Sequence, residues 1–143
     1  MAPVVPDIDH LSTAISHATA PAFMLGAVAG FLSILIARLE RLTDRNRILR
    51  SGGLGDIDPA VKEVIARELG RRMVLLGRAI YFAVLSALVT AALLISAFFA
   101  ALIGIGHGGI VALMFAASLA LLMAALVELT LEIRIHMASM HLD

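Results

Sequence analysis

Three uncharged, strongly apolar stretches separated by polar or glycine-rich connections dominate the pattern along this chain. The first runs from Ala18 to Ala37, the second from Ala79 to Ile103 and the third from Ile110 to Val127. At about 1.5 Å rise per residue, a helix of about twenty residues crosses a hydrocarbon core of about 30 Å, so each stretch has the length of a membrane span. The alternation of a barrel strand is missing, and backbone polar groups in lipid must otherwise be satisfied within a helix. The pattern predicts an all-α integral membrane protein with three transmembrane helices.

Polar positions mark the boundaries. No helix breaker follows the first span until Ser51-Gly52-Gly53, so its helix is expected to continue from Arg38 to Arg50. Asp58 as N-cap with Pro59 at the first helical position opens a second helix that runs through Arg78 into the second span. The two extensions form a helical hairpin over 38–78, with the stripe of Val61, Val64, Ile65, Glu68, Leu69 and Arg72 set against Leu39, Leu42, Ile48 and Leu49. Ahead of the first span, Asp7 or Asp9 can cap a short surface helix carrying Ile8, Leu11 and Ile15, with Pro21 allowing a bend. A straight continuation into the span is the alternative. The expected plan is an outer-surface segment 1–17, span 18–37, hairpin 38–78, span 79–103, outer loop 104–109, span 110–127 and tail 128–143.

Composition agrees with lipid as the solvent: 61% of the residues are hydrophobic and 15% charged, against about 45–50% and 25% in soluble chains. The absence of cysteine excludes a disulfide scaffold, a thiol nucleophile and thiolate metal sites. Eleven basic residues balance eleven acidic ones, which gives no case for a nucleic-acid partner. Their distribution is far from even. Ten of the eleven lie between the first two spans, and Arg134 follows the third. By the positive-inside rule the hairpin and C-terminus are cytoplasmic and the N-terminus is outside. No Lys or Arg precedes the first apolar run, which is also longer than a signal-peptide core, so it is expected to be retained.

Candidate chemistry is sparse within the spans. Ala22, Gly26, Gly30 and the neighbouring Ser33 in the first, with Ala116 and Ala120 in the third, form small-residue rows of the kind that let helices approach closely in lipid. They serve packing within one protomer or self-association. Ser86 and Thr90 either line a passive pore or bond to carbonyls of their own helix. No ionisable residue lies near a midplane, which argues against ion-coupled transport. At the cytoplasmic level, Arg38, Arg41, Asp44, Arg45 and Arg78 face Glu128 and Glu132 as a charge cluster, Arg being suited to grip carboxylates through two parallel bonds. Snorkelling toward lipid phosphates is the alternative for each arginine. Glu128, Glu132 and His136 share a helical face, yet without a fourth ligand they suit charge pairing better than a metal. No catalytic, nucleotide or cofactor motif is placed where chemistry needs one, so neither enzyme activity nor a cofactor is expected.

The run Ala20–Leu49 resembles the bacterial membrane family Domain of Unknown Function 2721, through Pro21, Phe23 and Leu25, then Arg38-Leu39, Arg41, Asp44-Arg45 and Arg47. Arg71-Arg72, Arg78-Ala79-Ile80, Leu85-Ser86-Ala87-Leu88 and Glu132-Ile133-Arg134 are similar to the rest of its pattern. Asn46 and the glycine-rich Ser51–Gly55 depart from it. The resemblance implies a small multi-span bacterial membrane protein, with no reaction or ligand attached; its expected location is the inner membrane. The leading expectation is a homo-oligomer with a passive ion channel or pore as its candidate activity. The runner-up is a non-catalytic accessory or scaffold subunit of a larger membrane complex, docking through the hairpin.

Overall fold

The computed structural model describes residues 8–52, 58–103 and 108–140. They form three α-helices, α1 (Ile8–Arg50), α2 (Pro59–Ile103) and α3 (Gly108–Met140). Each is long and apolar enough to cross a membrane, and no more than 22% of each apolar stretch is buried inside the chain. Apolar faces this large need a solvent other than water, and a bilayer supplies it.

Local chemistry sets the helix ends. After Arg50 the Ser51 N–H bonds to the Arg47 carbonyl at 2.9 Å, and Gly52 takes φ +76°, a left-handed conformation that costs glycine no Cβ clash. α2 opens with Asp58 accepting a hydrogen bond from the Ala60 N–H at 3.0 Å, while Pro59 has no orphan N–H to satisfy. The start of α1 corrects the expected plan. No separate segment ends at 17; the helix is continuous from Ile8 through Pro21. Pro21 deprives one carbonyl of its partner, but it is buried against the bundle, and helix on both sides carries that single loss. Asp9 therefore lies inside α1, while Asp7, the loop at 104–107 and His141 fall outside the described residues. The tail expected from 128 onward is the last part of α3.

α2 is the shared element, with α1 and α3 each packed along it. Its seams repeat every seven residues. Pro21, Val28, Leu35, Leu42 and Leu49 are the buried row of α1; Leu69, Leu76, Ala83 and Thr90 make one row of α2 and Ala79, Ser86 and Leu93 another; Ser118, Ala125 and Glu132 make that of α3. Seven-residue rows are the signature of helices crossing at a shallow left-handed angle. Small residues sit in the seam itself, since Ala79, Ala83, Ser86, Ser118 and Ala125 are all fully buried.

The rows expected to supply this packing are elsewhere. Ala22, Gly26, Gly30, Ser33, Ala116 and Ala120 are exposed in the chain, and a Cβ added at Gly26 or Gly30 would meet nothing within 4 Å. Packing within one protomer is thus overturned for them, because the seam follows the seven-residue rather than the four-residue rows. The hairpin stripe is corrected in the same sense: Ile48, Val61, Val64 and Ile65 are exposed, while Leu42, Leu49 and Leu69 are buried with Ala66 and Met73 beside them.

Candidate functional site

Two layers of ion pairs lie about one helical turn apart where the apolar stretches give way to charge. In the inner layer Arg78 Nη2 of α2 forms an ion pair with Glu128 Oε1 of α3 at 3.0 Å. The other oxygen, Glu128 Oε2, is buried without a hydrogen-bond partner. In the outer layer one carboxylate joins all three helices. Glu132, 1% exposed, accepts Arg72 Nε at 2.9 Å and Arg72 Nη2 at 2.7 Å on Oε1, and Arg38 Nη1 at 2.9 Å on Oε2. Charge-assisted bonds of this length are the strong kind, and three of them offset the desolvation of a carboxylate that would otherwise be costly to bury.

The sequence positions explain why these groups meet. Glu132 continues the row Ser118–Ala125–Glu132, and Arg72 continues Ala79–Ser86–Leu93 toward the N-terminus of α2. Seam positions that are apolar or small within the apolar stretches become charged beyond their ends. Arg38, Glu128, Glu132 and Arg78 are thus brought together as expected, with Arg38 on Glu132 and Arg78 on Glu128. Arg72 is the member missed at the level of the cluster, although its place in the hairpin stripe already marked it as inward-facing. Arg41 and Arg45 line a cavity of about 320 Å³ beside the outer layer, together with Arg38, Arg72, Glu132 and His136. Asp44 is exposed and takes no part. Among the described residues no group of three or more His, Cys, Asp or Glu is placed to hold a metal ion; Glu128 and Glu132 are committed to arginines.

A second polar node lies within the spans. Ser86 Oγ donates to the Ser118 carbonyl at 2.8 Å, Thr90 Oγ1 to the Ser86 carbonyl at 2.9 Å, and Ser118 Oγ to the Phe115 carbonyl at 2.9 Å, with Met24 sulfur 3.6 Å from the last hydroxyl. All three hydroxyl residues are fully buried. The pore-lining role considered for Ser86 and Thr90 is therefore corrected: their hydroxyls are consumed inside one chain's bundle. Thr90 bonds within its own helix, but Ser86 reaches across to α3.

With both layers and the node in view, the sequence pattern of a family described as "Protein of unknown function (DUF2721)" matches residues 18–142. The chain belongs to that family. The DUF2721 match takes in the spans, both ion-pair layers and the hydroxyl node. No curated protein and no solved structure matches the chain, so membership in DUF2721 brings no reaction with it.

Proposed function

We propose that this chain is a non-catalytic, homo-oligomeric protein of the bacterial inner membrane, with its N-terminus outside and its ion-pair layers, helix extensions and C-terminus in the cytoplasm. The observation that carries assembly is the outward face of α1: Gly26 and Gly30 lie on an exposed row with open space beside each. Small residues weaken packing against lipid tails but let a second helix approach closely, so such a row gains more from another protomer than from lipid. The orientation rests on the ten basic residues between the first two spans.

A passive pore would have to run between protomers, since Ser86 and Thr90 are spent inside each one. The alternative role as a scaffold subunit is favoured by exposed Ile48, Val61 and Val64 on the extensions beyond the apolar stretches, where water would surround them. The deciding measurement is the mass of the protein purified from its native membrane with a tagged copy. A defined multiple of the 15.1 kDa chain supports the oligomer. A single protomer refutes it, and stoichiometric foreign subunits favour the scaffold; a closed ring would then be examined for conductance in planar bilayers.

A further inference from the structure

The cavity beside Glu132 carries more positive charge than the bundle uses. Four arginines, Arg38, Arg41, Arg45 and Arg72, line it with one carboxylate and His136. Arg72 is committed through both its Nε and Nη2, and Arg38 uses Nη1 alone. Arg41 and Arg45 are exposed and make no hydrogen bond or ion pair among the described residues. They sit four residues apart on one face of α1, the spacing that stacks side chains. Guanidinium groups keep their charge at any physiological pH, so the basin holds a standing excess of cation next to a carboxylate whose oxygens are already engaged.

We propose that this cavity is a binding site for a phosphate-type anion, held chiefly by Arg41 and Arg45 with the unused N–H groups of Arg38 completing the fork. Its volume, about 320 Å³, falls at the lower end of small-molecule sites, about 300–1,000 Å³, and suits a phosphate with its first substituent. Each guanidinium can grip a phosphate through two parallel hydrogen bonds. Two sources share that chemistry. Arg38 follows the last uncharged residue of the first apolar stretch, and Arg45 lies about 10 Å further along the helix axis. If Arg38 marks the edge of the hydrocarbon, the three arginines step through the lipid headgroup region, about 5–8 Å a side, and just past it. An anionic lipid headgroup can enter from the bilayer, and inorganic phosphate from water. The site is complete within one chain and does not depend on assembly.

The test uses the full chain in a neutral detergent, with phosphatidylglycerol or inorganic phosphate added separately. Retained adducts are read by native mass spectrometry, and the shift of the unfolding midpoint is read in parallel. Arg41→Gln/Arg45→Gln removes the proposed contacts, while Arg47→Gln/Arg50→Gln removes the same charge from the same helix outside the cavity. Because Arg41 and Arg45 support no partner, the first variant should unfold at the wild-type midpoint without ligand; each single variant repeats the measurement if the double does not fold. A loss of affinity of about tenfold or more in Arg41→Gln/Arg45→Gln only supports the site. Its appearance with phosphatidylglycerol identifies a lipid, and with inorganic phosphate a soluble anion. Equal effects of the two double variants, or no binding of either ligand, overturns the proposal.

Discussion

Arg72 and Glu132 meet through two bonds to a single oxygen, 2.9 Å from Nε and 2.7 Å from Nη2, with the two side chains 11% and 1% exposed. This is the most buried ion pair of the bundle among the described residues, and Arg38 adds a third bond from another helix. Glu132→Gln would leave two guanidiniums facing a neutral amide. Breaking a buried pair by removing one partner costs about 3–5 kcal/mol, and a loss of that size is expected in detergent unfolding. Arg38→Gln should cost less, on the order of 1 kcal/mol, because its side chain is 42% exposed. Replacing both members with apolar residues, Arg72→Met with Glu132→Leu, should recover most of the loss. Additive destabilisation in the double variant would contradict the pairing energetics.

The outward position of Gly26 and Gly30 separates folding from assembly. Changing both to Leu meets open space in the chain, so the bundle's thermal midpoint should hold or rise slightly. The oligomer should dissociate, because two bulky side chains would hold the partner helices apart. Light scattering in detergent distinguishes the outcomes, and an unchanged mass would assign this face to lipid.

Ser86 is expected to contribute as an interhelical donor and nothing more. Ser86→Ala should destabilise by roughly 0.6 kcal/mol, the average for such bonds within membranes, and by no more than about 1.7. If any conductance is found, it should be the same in this variant. A change in ion preference would place Ser86 on a pathway and contradict its burial.

Orientation can be read directly. With cysteines introduced singly at Ser12, Ser51 and Ser139, an impermeant thiol reagent added to sealed cells should label Ser12→Cys alone. Labelling of Ser51→Cys from outside would invert the arrangement.

The spans, the stop after Arg50 and the Asp58–Pro59 start were legible because uncharged length, glycine and capping chemistry act locally. The nearness of Arg38, Arg78 and Glu128 was legible too, since each bounds an apolar stretch on the same side, whereas the choice of Glu132, one turn beyond Glu128, as the partner of Arg38 was not. The packing faces were harder to read. When nearly every residue of a span is apolar, water no longer sorts inside from outside, and small residues fall into several rows at once. The four-residue row through Gly26 and Gly30 was as visible as the seven-residue row through Ser118, Ala125 and Glu132. Only the second carries a residue, Glu132, that lipid would not tolerate. Following that charge back along its row would have found the seam, and Arg72 with it, seven residues before Ala79.

α2 is one uninterrupted helix of 45 residues. Ala91, near the middle of its apolar stretch, lies about 48 Å along the axis from Pro59 at about 1.5 Å per residue. A change of 10° in tilt about that point swings Pro59 sideways by about 8 Å. Membrane helices adjust tilt to the thickness of the bilayer around them, and α1 is fastened to α2 along the same length by Leu42, Leu49 and Leu69. On the orientation proposed above, a small difference in lipid thickness would therefore displace the basic end of this helix pair by several ångströms.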